Sequence, residues 1–208
     1  MKSRTTSLIA AGAAAVLLAA CSSNGTTSSS SSSPPVRLTA SSDCGAYQMA
    51  NPQTKATQTK DFVMVAGVGA NESMYTKTEV AARMPESGEV MVGGQMTSTG
   101  SASNGSMSMG NGSAMNSGSA MRHVEVHICS KATGKAVTGP VPTIDMQDMT
   151  KSGSMMNSMA VAEMQGLDMN PADTHYGNNV TLVPGHRYLL KTSINGQSGS
   201  IELTAPPT

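Results

Sequence analysis

Two of the chain's four histidines flank a carboxylate in an alternating run. In His123-Val124-Glu125-Val126-His127-Ile128-Cys129, polar and aliphatic residues take turns. A period of two puts Val124, Val126 and Ile128 on one face of a strand and His123, Glu125, His127 and Cys129 on the other. Side chains at i and i+2 project the same way, about 7 Å apart along the strand. Two of them can share a metal ion if a neighbouring strand or loop completes the set. His175, isolated in Asp173-Thr174-His175-Tyr176-Gly177-Asn178-Asn179-Val180, is a separate residue that could carry chemistry. Imidazole suits copper, zinc and iron, carboxylate suits harder ions, and thioether selects Cu(I). A mixed His/Glu/Met set therefore suits copper in either oxidation state, or ferrous iron less selectively. The competing reading of the same run is a solvated polar face on an edge strand.

Methionine is abundant, at 18 residues. Met64 and Met91 sit in apolar runs and read as pliable core filler. Met107, Met109, Met115 and Met121 lie among Ser, Gly and Asn, where the sequence offers no core to fill. Such thioethers suit metal handling, and they equally suit an oxidant sink that works through sulfoxide formation. The surrounding residues, 97–120, have low complexity and predict a long loop inside the domain.

The elements that must position these groups read as strands. Phe62 to Ala66, Glu89 to Val92 and His123 to Cys129 are the clearest. Ala136-Val137, Thr143 to Met146, Met159 to Met164 and Asn179 to Val183 are further candidates. Met74 to Met84 reads as a short helix or an irregular crossing, ended by Pro85. Tyr188 to Ile194 and Ser198 to Leu203 form a hairpin, because Asn195-Gly196 tolerates the positive φ of a type I′ turn. About seven to nine short strands with almost no helical periodicity predict an all-β, antiparallel β-sandwich over residues 61–208. With no Trp and a single Phe, its core is expected to be aliphatic and methionine-rich.

The N-terminus predicts an address. Lys2 and Arg4 precede an apolar or small stretch from Leu8 to Ala20, too short to span the ~30 Å hydrocarbon core and of signal-peptide form. Residues 1–20 are the expected signal peptide. Leu18-Ala19-Ala20-Cys21 resembles the lipobox of bacterial lipoproteins, which implies acylation of Cys21 and a membrane partner through the lipid. The competing reading is an ordinary signal peptide with a chance cysteine. Residues 21–60 are expected to be a disordered Ser-rich tether and a polar lead-in. The domain would then sit outside the cytoplasm, lipid-anchored to the outer face of the cell membrane or to an outer membrane. Lys plus Arg equals Asp plus Glu, 13 each, and no basic cluster occurs, so nucleic acid is not an expected partner. Cys44 and Cys129 remain as a disulfide candidate in an oxidising compartment; the alternative is a free buried thiol at Cys129.

Several of these features together bring out a resemblance. His123-Val124-Glu125, a methionine ahead of His175-Tyr176-Gly177-Asn178-Asn179-Val180, and the turn Pro184-Gly185-His186-Arg187-Tyr188 resemble the bacterial periplasmic iron-transport protein family. The likeness covers roughly residues 121–204. It implies an immunoglobulin-like sandwich beside a membrane metal permease, with homodimers among the family's members. It also implies copper and iron binding by His123, Glu125, His175 and the thioether of Met164. Here the interval from Met164 to His175 is longer than the family pattern and also contains Met169, which, with His127, is an accessory candidate. The Met/Ser/Gly loop reads as an insertion and the lipobox as an addition.

The expectation is a membrane-anchored metal-binding lipoprotein serving uptake or sequestration. The alternative is an immunoglobulin-like surface module without a metal. Catalysis is not expected: no Gly-x-Ser-x-Gly elbow and no phosphate-cradling glycine loop occur.

Overall fold

In the computed structural model, which describes residues 36, 38–95 and 120–207, the chain forms an all-β sandwich of two sheets. The order is helix α1 (Asp43–Ala50), strands β1 (Lys55–Gln58), β2 (Phe62–Ala70) and β3 (Met74–Thr76), helix α2 (Lys77–Ala82), and strands β4 (Glu89–Gly94) and β5 (Ala120–Ser130). Strands β6 (Thr143–Asp148), β7 (Asn157–Met159) and β8 (Ala162–Gly166) follow. A 3-10 turn at Pro171–Asp173 then leads to β9 (His175–Leu182), β10 (Arg187–Ile194) and β11 (Gln197–Thr204). Seven strands build one sheet in the order β1-β2-β5-β9-β8-β4-β3, and four build the other, β11-β10-β6-β7. Every ladder is antiparallel except β3 with β4. The signal peptide, Cys21 and the Ser-rich tether lie outside the described residues, as do all of 97–120 except Ala120.

Strand periodicity decides which residues reach the space between the sheets. Met64, Ala66, Val124, Val126, Ile128, Tyr176, Val180 and Leu182 come from the larger sheet, and Ile144, Leu190, Ile194, Ile201 and Leu203 from the smaller. Tyr176 and Tyr188 also lie in this core, so its bulk is not only aliphatic and thioether. Each keeps its hydroxyl partnered: Tyr176 Oη donates to the Val137 carbonyl at 2.7 Å, and Tyr188 Oη accepts from Val183 N–H at 2.9 Å. Pairing removes the penalty of burying a phenol.

Several expected boundaries move. The fold begins ahead of residue 61: α1 is N-capped by Ser42, whose Oγ accepts from Gly45 N–H at 3.1 Å, and β1 pairs with β2 along its whole length. A polar segment can dock because its backbone joins a sheet edge and Cys44 anchors its helix. Met159 to Met164 is two strands, because the chain leaves the smaller sheet after β7 and enters the larger at β8. Ala136 makes only an isolated bridge to Cys129. Asn195 and Gly196 take φ of 48° and 73° and close the β10–β11 hairpin.

Candidate metal centre

The face of the larger sheet turned away from the core gathers the chemistry. β5 is an interior strand, between β2 and β9, so the edge-strand reading of its polar face does not hold. Cross-strand partners share a face. His123 pairs with Asn179 and Glu125 with Gly177, so His175, in phase with them, joins that face. His175 also pairs with Met164, and Met164 with Met91, which brings Glu89, two residues before Met91, onto the same side. His175 is the first residue of β9 rather than part of a loop.

Glu89, His123, Glu125 and His175 each offer a ligand atom, and the four atoms lie within 4.8 Å of one another. Glu89 Oε2 is 3.4 Å from His123 Nε2 and 3.1 Å from His175 Nε2. All three atoms are buried, yet none has a hydrogen-bond partner. The other ring nitrogens are committed. His123 Nδ1 contacts Asn179 Oδ1 at 3.2 Å, and His175 Nδ1 contacts the Asp173 carbonyl at 2.8 Å. An oxygen at Nδ1 fixes one proton there, so that the neutral ring presents its lone pair at Nε2, which is how metal-ligating histidines are oriented. Asn179 is held in turn, its amide donating to the Glu72 carbonyl at 2.7 Å and its oxygen accepting from Glu72 N–H at 3.2 Å.

Glu125 is arranged differently. Its Oε1 accepts from Tyr47 Oη, and its Oε2 lies 3.3 Å from His127 Nε2. Tyr47 stacks on the His127 ring with centroids 3.5 Å apart. It reaches there from α1, which the Cys44–Cys129 disulfide fastens to β5. Gly67 makes the room: a Cβ there would lie 3.0 Å from Tyr47 Oη and 3.4 Å from Glu125 Oε1.

The charges follow from these contacts. Burial works to raise the Glu125 carboxyl, but His127, the His175 charge and the Tyr47 hydroxyl outweigh it and bring it down to about 2. Burial lowers His127 below the usual imidazole range, against the pull of Glu125. At neutral pH the two therefore meet as a neutral ring and an anion. Burial also works to lower His175, but the Glu89 and Glu125 carboxylates overcome it and carry His175 up to about 9. Burial and the neighbouring Glu125 push the Tyr47 phenol well above its ordinary value.

Of the residues singled out in the sequence, His123, Glu125 and His175 come together. His127 lies beside them, and its ligand atom falls within 4.8 Å of those of Asp173 and His175. Met164 is fully buried, packed with Met74, Ala162 and Met91, and stands beside His175 in register. Met169 sits at 37% exposure in the turn after β8, with φ of 56°. Met121 is half-buried on β5, while Met107, Met109 and Met115 lie outside the described residues. Sequence reasoning missed Glu89 and Tyr47. The only trace of Glu89 is a carboxylate opening an otherwise apolar strand, and Tyr47 lies in a segment read as a lead-in.

Comparison with family models, with curated proteins and with solved structures finds no match.

Proposed function

We propose that this chain is a lipid-anchored extracytoplasmic protein that binds a transition-metal ion, copper or iron, for uptake or sequestration. The observation that carries the metal reading is the convergence of Glu89 Oε2, His123 Nε2 and His175 Nε2, buried and unpartnered. A buried polar atom without a partner costs about 1–3 kcal/mol; a proton on His175 offsets part of this by pairing with Glu89, whereas a cation satisfies all three atoms at once. Two imidazoles and a carboxylate suit first-row divalent ions; a thioether from the adjacent Met164 would add affinity for Cu(I).

The anchor rests on the lipobox ending at Cys21. The Cys44–Cys129 disulfide supports the compartment, since such bonds persist where the surroundings oxidise. No helix among the described residues is long and apolar enough to cross a membrane. The resemblance to periplasmic iron-transport proteins adds a membrane metal permease as a partner and a homodimer as the assembly.

The test is thermal denaturation of the purified chain with Cu(II), Cu(I) or Fe(II). Metal at 100 times its dissociation constant should stabilise the fold by about 2.7 kcal/mol. The combined His123→Ala and His175→Ala substitution should abolish the gain, and a gain that survives it refutes the site.

A further inference from the structure

Resting on the cation reading of Glu89, His123 and His175, we propose that Tyr47 is a positioning residue that withholds Glu125 from the cation, making Glu125 a reserve ligand rather than a resident one. The contrast among the four clustered groups carries the argument. Glu89, His123 and His175 each present a buried atom with no hydrogen-bond partner. Glu125 instead carries a partner on each oxygen, Tyr47 Oη donating to Oε1 and His127 Nε2 facing Oε2, which leaves each oxygen one lone pair. Hydrogen bonds to a carboxylate are among the stronger ones in proteins, so these two compete with a cation for the position and the charge of Glu125.

Tyr47 is built to hold that position. Cys44, three residues earlier on α1, is joined to Cys129, and its N–H also points at Cys129 Sγ at 3.0 Å. Cys129 and Glu125 are four residues apart on β5 and share a face, so the staple fixes the distance between the helix and the carboxylate. Asp43 secures the start of the helix by accepting from Ala136 N–H at 2.8 Å. The Tyr47 ring lies flat on His127, and Gly67 leaves its hydroxyl space against the sheet. An ion content with few ligands binds without disturbing this arrangement. A harder ion that prefers more oxygens draws on Glu125 against the hold of Tyr47. Tyr47 therefore sets the chain's preference between the two kinds of ion.

The experiment titrates Co(II) into the purified chain, reading affinity and the visible d–d absorption, whose intensity drops as coordination number rises. Tyr47→Phe should tighten Co(II) by about tenfold or more, the scale of one hydrogen bond to a charged group, and weaken the absorption. Glu125→Gln alone removes a nearby charge but no ligand, so it should weaken Co(II) clearly less than Glu89→Gln does, and the double variant should match the Glu125→Gln single variant, because Tyr47 acts only through Glu125. The proposal is overturned if Tyr47→Phe changes neither affinity nor spectrum, or acts equally in the Glu125→Gln background. It is also overturned if Glu125→Gln alone loses Co(II) as Glu89→Gln does, an arm that decides the matter even should Tyr47→Phe not fold. Failure of the underlying reading looks different: the unaltered chain binds no Co(II), or binding survives His123→Ala with His175→Ala, and either result overturns both.

Discussion

Glu89 Oε2 and His175 Nε2 lie 3.1 Å apart and buried, an ion pair when His175 carries its second proton. The two come from β4 and β9, with β8 between them in the sheet. If a cation is what these atoms face, Glu89→Gln removes a charged ligand while keeping the shape. Outer-shell partners alone contribute 10- to 100-fold to metal affinity, so loss of a direct ligand should cost about 100-fold or more. Equilibrium dialysis against Zn(II) or Cu(II) measures it. Unchanged affinity in Glu89→Gln would remove Glu89 from the site.

The same contact predicts opposite pH responses for the metal-free and metal-bound chain. His175 is raised from 6.5 to about 9, so the folded state holds this proton more tightly than the unfolded one. The resulting stability is complete below about 6.5 and is lost as pH climbs through about 9. A metal needs the neutral ring and must expel that proton, so affinity should rise about tenfold per pH unit up to about 9. Calorimetry at pH 7.5 in buffers of different ionisation heat should find about one proton released per ion. Release of none would show that His175 is not a ligand.

How far the sequence reached depended on the range of the signal. Alternation along β5 correctly put His123, Glu125 and His127 on one face, because a strand's period is a local property. Burial of that face was not legible. It follows from β5 lying between β2 and β9 and from α1 covering it, both of them relations between distant segments. Glu89 stayed hidden for the same reason: it joins His123 only through the order β5-β9-β8-β4. The Asn195-Gly196 hairpin was legible because the turn chemistry sits in two adjacent residues. Met159 to Met164 misread as one strand because an apolar run carries no mark of where a chain changes sheets.

The disulfide should matter to stability as well as to the placement of Tyr47. Cys44 and Cys129 are 85 residues apart in sequence, and closing a loop of that order restricts the unfolded chain by about 4–5 kcal/mol in the entropic account. Cys44→Ser with Cys129→Ser should therefore lower unfolding free energy by about 2–5 kcal/mol, seen as a drop in the urea midpoint. A stability loss under about 1 kcal/mol would mean that α1 is held by its other contacts, chiefly Asp43 to Ala136 and Tyr47 on His127.

If the site holds a metal ion, its preference for copper turns on a single thioether. Met164 is fully buried, in register with His175 on one side and Met91 on the other. Leu and Met have similar volumes, so Met164→Leu should cost less than about 1.5 kcal/mol of stability. The substitution removes the only soft donor that, among the described residues, pairs in register with a site histidine, and leaves Glu89, His123 and His175 in place. If the sulfur ligates, Cu(I) affinity should fall at least about tenfold, since thioether donors favour that ion. Binding of Zn(II) and Fe(II), which rests on the nitrogens and oxygen, should be unchanged. Competition titrations against a Cu(I) chelator read the first quantity and dialysis the other two. Equal losses for all three ions would mean that Met164 supports the site by packing; no loss for any would leave copper without a soft ligand there and shift the assignment towards iron.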